Sequence, residues 1–501
     1  MERPYWSTGA ALPAMPTLDR DLTVDVVVVG GGITGATAAL LMKDAGLTVA
    51  LVERDRCGLG DTGHTSAHLT AVTDKTFPEL IESFGRPHAE AVWDGGFAAL
   101  HEISQIVSQR EIECAFRWIP GYLTTRFEDA TDTDVATLTD VAAEASHSGF
   151  DAAMVDGVPG VGLQAVRFDH QARIRPLEYL AGLLGAIPGD GSHVFEHSPV
   201  TTIDDDPLVV HCGERKIHTR FVVIATHIPI AGKTNLLKAT LLQTDLYPYS
   251  SYVVSAKVEK GLWPDALIWD LSDPYYFVRL DEGDDHDVLI VGGCDHKTGQ
   301  LEDTRRPFDA LIALIAGWLP DAKITHKWSG QIVETRDGLP YIGETAPGQF
   351  VVTGFGGNGI TFGTLGAMMA RDAALGTRNP WSGLFDVNRT HITKGIWDYV
   401  RENVDYPYYM IRDRFSGADG RDLRAVGRGE GKIIDLRGNR VAASRSASGT
   451  LSVVSPVCTH MGCHVAWNTA DSTWDCPCHG SRFSPSGRVL RGPAEKDLHR
   501  Y

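Results

Sequence analysis

SPVCTHMGCHVAWNTADSTWDCPCHGSRF, residues 455–483, carries two short motifs of metal-ligand type: Cys458-x-His460 and, after fifteen further residues, Cys476-x-x-His479. Cys463 lies just beyond the first motif and Cys478 inside the second. Two thiolates and two imidazoles on a pair of short loops suit a [2Fe–2S] centre with one iron on cysteines and the other on histidines. A tetrahedral zinc site takes the same donors. The surroundings CTHMGC and CPCHGS are not those of zinc-finger loops, so the iron–sulfur centre is the expectation.

The stretch resembles the Rieske domains, and the likeness continues through Phe483, Gly487 and the turn Gly492-Pro493-Ala494. The resemblance implies that Cys458 and Cys476 bind one iron and that His460 and His479 bind the other. It also implies a Cys463–Cys478 disulfide, the pair found in Rieske proteins of respiratory and photosynthetic chains and usually missing from ring-hydroxylating oxygenases. Neutral imidazoles in place of two thiolates leave the cluster less negative and easier to reduce. A one-electron acceptor is therefore expected at this end of the chain.

The chain has 501 residues, enough for two to four domains, with ordinary fractions of hydrophobic and charged residues. Its formal charge of −18 speaks against a nucleic-acid partner, whose phosphates it would repel. The opening MERPYWSTGAALPAMPTLDRD is polar and broken by proline, unlike a secretory leader. The uncharged runs Val26–Met42 and Thr345–Ala370 are too rich in glycine to span a membrane. Cys57, Cys114, Cys212 and Cys294 are scattered, which fits free thiols in a reducing cytoplasm.

At the other end, Leu22 to Asp55 reads as strand, tight turn, helix, strand. Val26–Val29 is a continuous β-branched run of a strand buried on both faces. Gly30, Gly32 and Gly35 then have the spacing of a dinucleotide fingerprint, with Ile33 and Thr34 opening a helix whose N-terminus meets phosphate. Glu53, followed by Arg54, ends the second strand where a carboxylate accepts from ribose hydroxyls. These features do not by themselves separate FAD from NAD.

From Asp25 to about Gly376 the chain resembles the flavoproteins of the D-amino-acid oxidase, glycine oxidase and sarcosine oxidase group. Three segments carry the likeness: the fingerprint, Phe221-VVIAT-His227, and Asp337-Gly-Leu-Pro-Tyr-Ile-Gly343 with Gly354-Phe-Gly-Gly-Asn-Gly-Ile-Thr361. The resemblance implies FAD, contacted by His64, Thr65, Ser66, Val200, Gly354, Gly356, Gly357, Asn358, Gly359, Ile360 and Thr361 besides the fingerprint residues. The expected class is α/β (α+β): a Rossmann-type FAD-binding domain interleaved with an antiparallel-sheet substrate domain, then an all-β Rieske domain. The oxidoreductase domain should span 22–376, with FAD-binding parts near 22–80, 195–235 and 334–376 and a substrate domain near 240–330. A linker with a short helix, Thr393 to about Val404 and ended by Pro407, should fill 377–422, and the Rieske domain 423–501. Tyr275–Leu280 and Asp287–Gly292 read as paired strands, and Arg305–Leu319 as a helix closed by Pro320.

The group oxidises a C–N bond by hydride transfer to flavin, which asks for a positioned small-molecule substrate. Its amino-acid members clamp the substrate carboxylate with an arginine, and the matching position here is Ile332. Arg279 and Arg336 are the arginines that could replace it, and Tyr276 is the candidate substrate-facing tyrosine. His64 aligns with a histidine that carries covalent flavin in dimethylglycine and sarcosine dehydrogenases. Asp61-x-x-His64-x-x-x-His68 also has the ligand types of a non-haem iron triad, one residue short of the oxygenase spacing. The expected activity is an FAD-dependent dehydrogenase of an amine or modified amino acid, passing electrons to the Rieske cluster and on to an external one-electron carrier. The other readings are a Rieske-type oxygenase with an internal flavin reductase, and a non-catalytic electron relay.

Overall fold

The computed structural model describes residues 3–229, 245–389, 418–436 and 438–501. The helix expected at Thr393–Val404 lies outside the described residues, as does the expected start of the substrate domain at residue 240. At the centre of the first sheet the fully buried strand Val26–Val29 pairs in parallel with Val49–Val52 and Phe221–Ile224, Val28 lying opposite Leu51 and Val223. His193–Phe195 extends this sheet on one side, and Gln349–Thr353 and Tyr341–Ala346 on the other, giving six strands. The helices Ile33–Asp44 and Gly359–Ala374 pack closely against each other: a Cβ on Gly363 would sit 2.3 Å from Thr34 Oγ1. Gly35 has the same use between helix and strand, since a Cβ there would fall 1.9 Å from the Gly30 carbonyl oxygen.

A second sheet, in the part of the chain expected to hold the substrate domain, has nine strands. The thirteen-residue strand Leu246–Val258 lies between Lys323–Thr335 and Asp287–Lys297. The expected hairpin is present as Phe277–Asp281 against Asp287–Lys297, with Phe277 opposite Gly292. Helix Arg306–Trp318 buries Phe308, Leu311 and Ile315 beneath it. The layer reaches well beyond residues 240–330. Leu267–Asp270 pairs in parallel with Arg117–Thr124, which leads on to Ala165–Arg173 and His68–Leu69. Such pairing joins segments far apart in the chain, and no local pattern announces it. The stretch expected to be linker holds a helical turn, Ser382–Phe385, with Leu384 and Phe385 buried.

The C-terminal part consists of two small antiparallel sheets. One holds Gly431–Leu436, Asn439–Arg445 and Leu451–Val454; the other holds Ala466–Asn468, Thr473–Asp475, Arg482–Phe483 and Val489–Arg491. Trp474, Phe483, Val454 and Leu498 fill the core beside Cys458, Cys463 and Cys476. Arg482 is buried with two carboxylates: its guanidinium bonds Asp471 and, at 3.1 Å, Asp475. Removing only the cation would strand both acids in a low dielectric. Arg482→Met should therefore cost about 3–5 kcal/mol, measured by guanidinium unfolding of the full chain. Adding Asp471→Asn and Asp475→Asn to that variant should restore part of the loss. An Arg482→Met penalty under about 1 kcal/mol would contradict this account.

Candidate active site and metal centre

Gly30 turns the chain at φ +113°, and a Cβ there would meet the Ala225 carbonyl oxygen at 2.5 Å, so only glycine fits. Two main-chain N–H groups orient the carboxylate that ends the second strand: Gly31 donates to Glu53 Oε2 at 2.8 Å and Asp55 to Oε1 at 2.9 Å. The N–H of Ile33 donates to Thr62 Oγ1 at 3.0 Å. From this cradle a cavity of about 770 Å³ runs between the two sheets.

Most residues singled out in the sequence meet in this cavity. Gly30, Gly32, Ile33 and Thr34 line it with Glu53 and Arg54; His64, Thr65, Ser66 and Val200 form a wall; and Gly356, Gly357, Asn358, Gly359 and Ile360 close the opposite side. Gly35, Gly354 and Thr361 stand behind the lining, where Thr361 Oγ1 donates to the Thr70 carbonyl and Gly354 presses on Thr335. Asp337 also lies off the cavity, clamped by Arg389 at 2.7 and 2.8 Å.

The candidate substrate residues divide. His64 is in the wall, its Nδ1 bonded to the Gly60 carbonyl at 2.9 Å, and burial pulls its pKa down. Tyr276 is not in the cavity: its ring stacks with Phe127 and packs on the opposite side of the sheet. Tyr275 lines the cavity instead. Arg279 is fully buried outside the cavity, donating to the carbonyls of Ala67 and Ile174 and lying over Trp6. Arg336 faces Asp245 at 3.8 Å. Ile332 does line the cavity, as an apolar side chain.

Two acids in the lining had no motif to announce them. Asp74 Oδ2 accepts from the Gly357 N–H at 2.9 Å, and Oδ1 accepts from the Tyr275 hydroxyl at 3.2 Å. Burial pushes Asp295 up to about 7, against the Ser251 hydroxyl beside it, and the charge of Asp74 adds to the rise. Trp269 and Phe277 line the same region.

In the C-terminal loops, Cys458 and Cys476 are buried, outside any disulfide, and hydrogen-bonded thiol to thiol. The main-chain N–H groups of His460 and Met461 and the Ser481 hydroxyl also point at Cys458 sulfur. The rings of His460 and His479 stand edge to face, centroids 4.9 Å apart. His460 Nδ1 is buried with no hydrogen-bond partner among the described residues. Cys463 and Cys478 form a disulfide that joins the two loops, and their sulfurs lie within 4.8 Å of each other and of Cys476 sulfur. That trio is the one grouping of three or more metal-ligand-type side chains within such a distance among the described residues, so Asp61, His64 and His68 are not assembled into a triad.

The C-terminal domain closes one side of the cavity. Arg54 donates to the Leu490 carbonyl at 3.2 Å, Arg488 bonds Asp55 at 2.9 Å, and Arg491 pairs with Asp61 at 3.1 Å. Burial would raise the Asp61 carboxyl, but Arg491, His227 and His64 outweigh it and hold it well below the usual range.

Residues 25–373 match the family described as FAD dependent oxidoreductase. The chain belongs to that family. Residues 420–501 match the Rieske [2Fe-2S] domain. Both halves together are 32% identical to YhfW of Bacillus subtilis (strain 168), described as a Rieske 2Fe-2S iron-sulfur protein, over 99% of this chain and 96% of that one. The gamma-glutamylputrescine oxidoreductase of Escherichia coli (strain K12) is 25% identical over 82% of this chain and 97% of its own. The crystal structure of glycine oxidase from Geobacillus kaustophilus superposes with a TM-score of 0.60 at 19% identity, covering 74% of this chain and 99% of that one. This last likeness carries the fold alone. No helix among the described residues is long and apolar enough to cross a membrane.

This FAD oxidoreductase therefore has two cofactors to house, and its residues fit both. The glycine turn, with no room for a Cβ, and the oriented Glu53 carboxylate fit the pyrophosphate and ribose of FAD. Two buried thiols and the orphaned His460 Nδ1 are donors suited to a mixed-ligand [2Fe–2S] cluster. Purified protein should contain FAD and about two irons per chain, with no stoichiometric zinc. Cys458→Ser should lose the iron and its low-temperature EPR signal while flavin absorbance stays; Gly30→Val should do the reverse. Loss of both cofactors in each variant would mean that the two sites do not form separately.

Proposed function

We propose that this protein is a dehydrogenase that oxidises the C–N bond of an amine or modified amino acid and sends the electrons to its own Rieske centre rather than to oxygen. FAD supplies a hydride acceptor and the [2Fe–2S] cluster a one-electron acceptor of raised potential. One observation carries the reading: a metal-ligand loop is seated on the cavity wall. Gln331 lines the cavity, and its side-chain amide donates at 2.9 Å to the carbonyl of Gly480, the neighbour of His479. The same amide reaches Thr298 Oγ1 at 3.3 Å, which holds it in place. Gly480 is so close that a Cβ would lie 2.5 Å from Pro248, and Gln300 bonds the Pro477 carbonyl at 3.1 Å.

The walls also favour an amine over a simple α-amino acid. With Ile332 apolar, and Arg279 and Arg336 engaged elsewhere, neither of the expected substitutes is placed to clamp a carboxylate. His68, in the lining, is held to a pKa of about 3 by burial and by Arg279, so it stays neutral. A neutral imidazole at that point of the wall suits a deprotonated amine, the form able to give up hydride. A relative named for gamma-glutamylputrescine supports C–N oxidation as the chemistry. The first ligand loop faces outward, with Val457 and Met461 exposed, which leaves that side for an external one-electron carrier.

Anaerobic addition of amines without NADH should bleach the flavin. Steady turnover should be much faster with an artificial one-electron acceptor than with oxygen, with little peroxide formed. His479→Ala should lose the acceptor-linked activity while substrate still bleaches the flavin. Peroxide made as fast as substrate is consumed would refute the assignment.

A further inference from the structure

Resting on the C–N oxidation reading, we propose that Asp74, Asp295 and Tyr275 form a cation subsite, which selects a substrate carrying a second ammonium group remote from the bond that is oxidised. The cavity is polar along its length. Arg54, Arg488 and Arg491 stand where the C-terminal domain meets the cradle, held by Leu490, Asp55 and Asp61. Among the described residues no lysine lines the cavity, and no arginine is hydrogen-bonded to Asp74 or Tyr275.

The acids there are built in. A Cβ on Gly357 would lie 2.8 Å from Asp74 Oδ1 and 2.5 Å from the Tyr275 hydroxyl, so this glycine gives the pair its room. Both oxygens of Asp74 are oriented, one by the Gly357 N–H and one by Tyr275. Asp295 Oδ1, in contrast, is shut off from solvent and has no hydrogen-bond partner among the described residues. A buried acceptor without a donor is costly, and because Asp295 lines the cavity, a turn of its carboxylate toward that space would let a ligand supply the donor. Burial raises the pKa of both carboxyl groups, and the charge of Asp74 makes that of Asp295 harder to form. An ammonium offers three donors and a compensating charge, so it relieves both costs together. Tyr275, Phe277 and Trp269 supply flat apolar surface for the intervening alkyl chain and faces for a cation.

The cation held here cannot be the nitrogen that is oxidised. A carboxylate pair favours the protonated form, whereas hydride leaves the carbon beside a neutral amine. A second, distant ammonium satisfies both demands.

The oxidised full-length holoenzyme can be titrated with n-pentylamine, the α,ω-diamine of the same length and the ω-amino acid of the same length. Binding is followed by perturbation of flavin absorbance and by calorimetry. The diamine should bind at least about tenfold more tightly than n-pentylamine, and the ω-amino acid more weakly than either. Asp295→Asn and Asp74→Asn, each checked for full flavin content, should bring the diamine-to-monoamine ratio below about threefold. The subsite is refuted if the ω-amino acid binds as tightly as the diamine, or if the ratio survives both substitutions. A preference for the diamine with no amine reducing the flavin would sink the oxidation reading and leave the subsite standing. Flavin reduction by amines with no charge preference would do the opposite.

Discussion

Asp471 lies buried in the Rieske domain, yet it accepts a hydrogen bond from Ser329, a buried residue on a strand of the substrate layer. A lone carboxylate in that position would be too costly to keep charged; Arg482 beside it makes the arrangement affordable. Fixed by that contact, the Rieske domain brings the Cys476–Gly480 loop onto Gln331 and the Val489–Arg491 strand onto Asp61. The cavity wall and the second ligand loop are consequently parts of one surface. Without the Asp471–Ser329 bond, the relation between the two redox sites would rest on the more exposed contacts at Asp55, Asp61 and Pro477 and on Gln331.

The cavity combines opposite electrostatic demands. Near the fingerprint it must receive an anionic pyrophosphate, and the main-chain N–H groups and arginines there suit that task. Toward Trp269 and Phe277 it holds carboxylates and the neutral imidazole of His68. The amino-acid-clamping arrangement has no counterpart among these side chains. Arg279, the cation nearest in sequence to Tyr275, is spent on the carbonyls of Ala67 and Ile174 and on Asp281. It holds the layer together from behind.

What could be read from the sequence was chemistry with short, fixed spacing. The glycine fingerprint with Glu53 and the two Cys–His loops each fall within a few dozen residues, and their donors are distinctive whatever surrounds them. The substrate end could not be read this way. Asp74 comes from one loop, Tyr275 from the approach to the strand Phe277–Asp281 and Asp295 from the strand Asp287–Lys297, and only the folded layer brings them together. The choice of Tyr276 over Tyr275 shows how narrow the margin is. In extended chain, neighbouring residues point to opposite faces, so an error of one position exchanges cavity for core. Arg279 misled for a related reason: it shares the parity of Tyr275 and Phe277 but lies past the end of the cavity. The pairing of Leu267–Asp270 with Arg117–Thr124 and the Asp471–Ser329 bond were equally hidden, because each joins segments with no local mark of their partner.

Arg54 and Asp55 follow directly on Glu53, the carboxylate at the cofactor cradle, and both are tied to the C-terminal domain through Leu490 and Arg488. Cofactor retention and domain docking thereby become linked equilibria. Whatever tightens one must tighten the other by the same free energy. With FAD bound, the loop that Arg488 grips would be steadied, and the docked C-terminal segment Leu490 to Glu495, which lines the same cavity, would slow escape. A change that weakens docking at Arg488 would therefore release flavin sooner, so the contact that seats the C-terminal domain also helps to hold the cofactor at the far end of the chain.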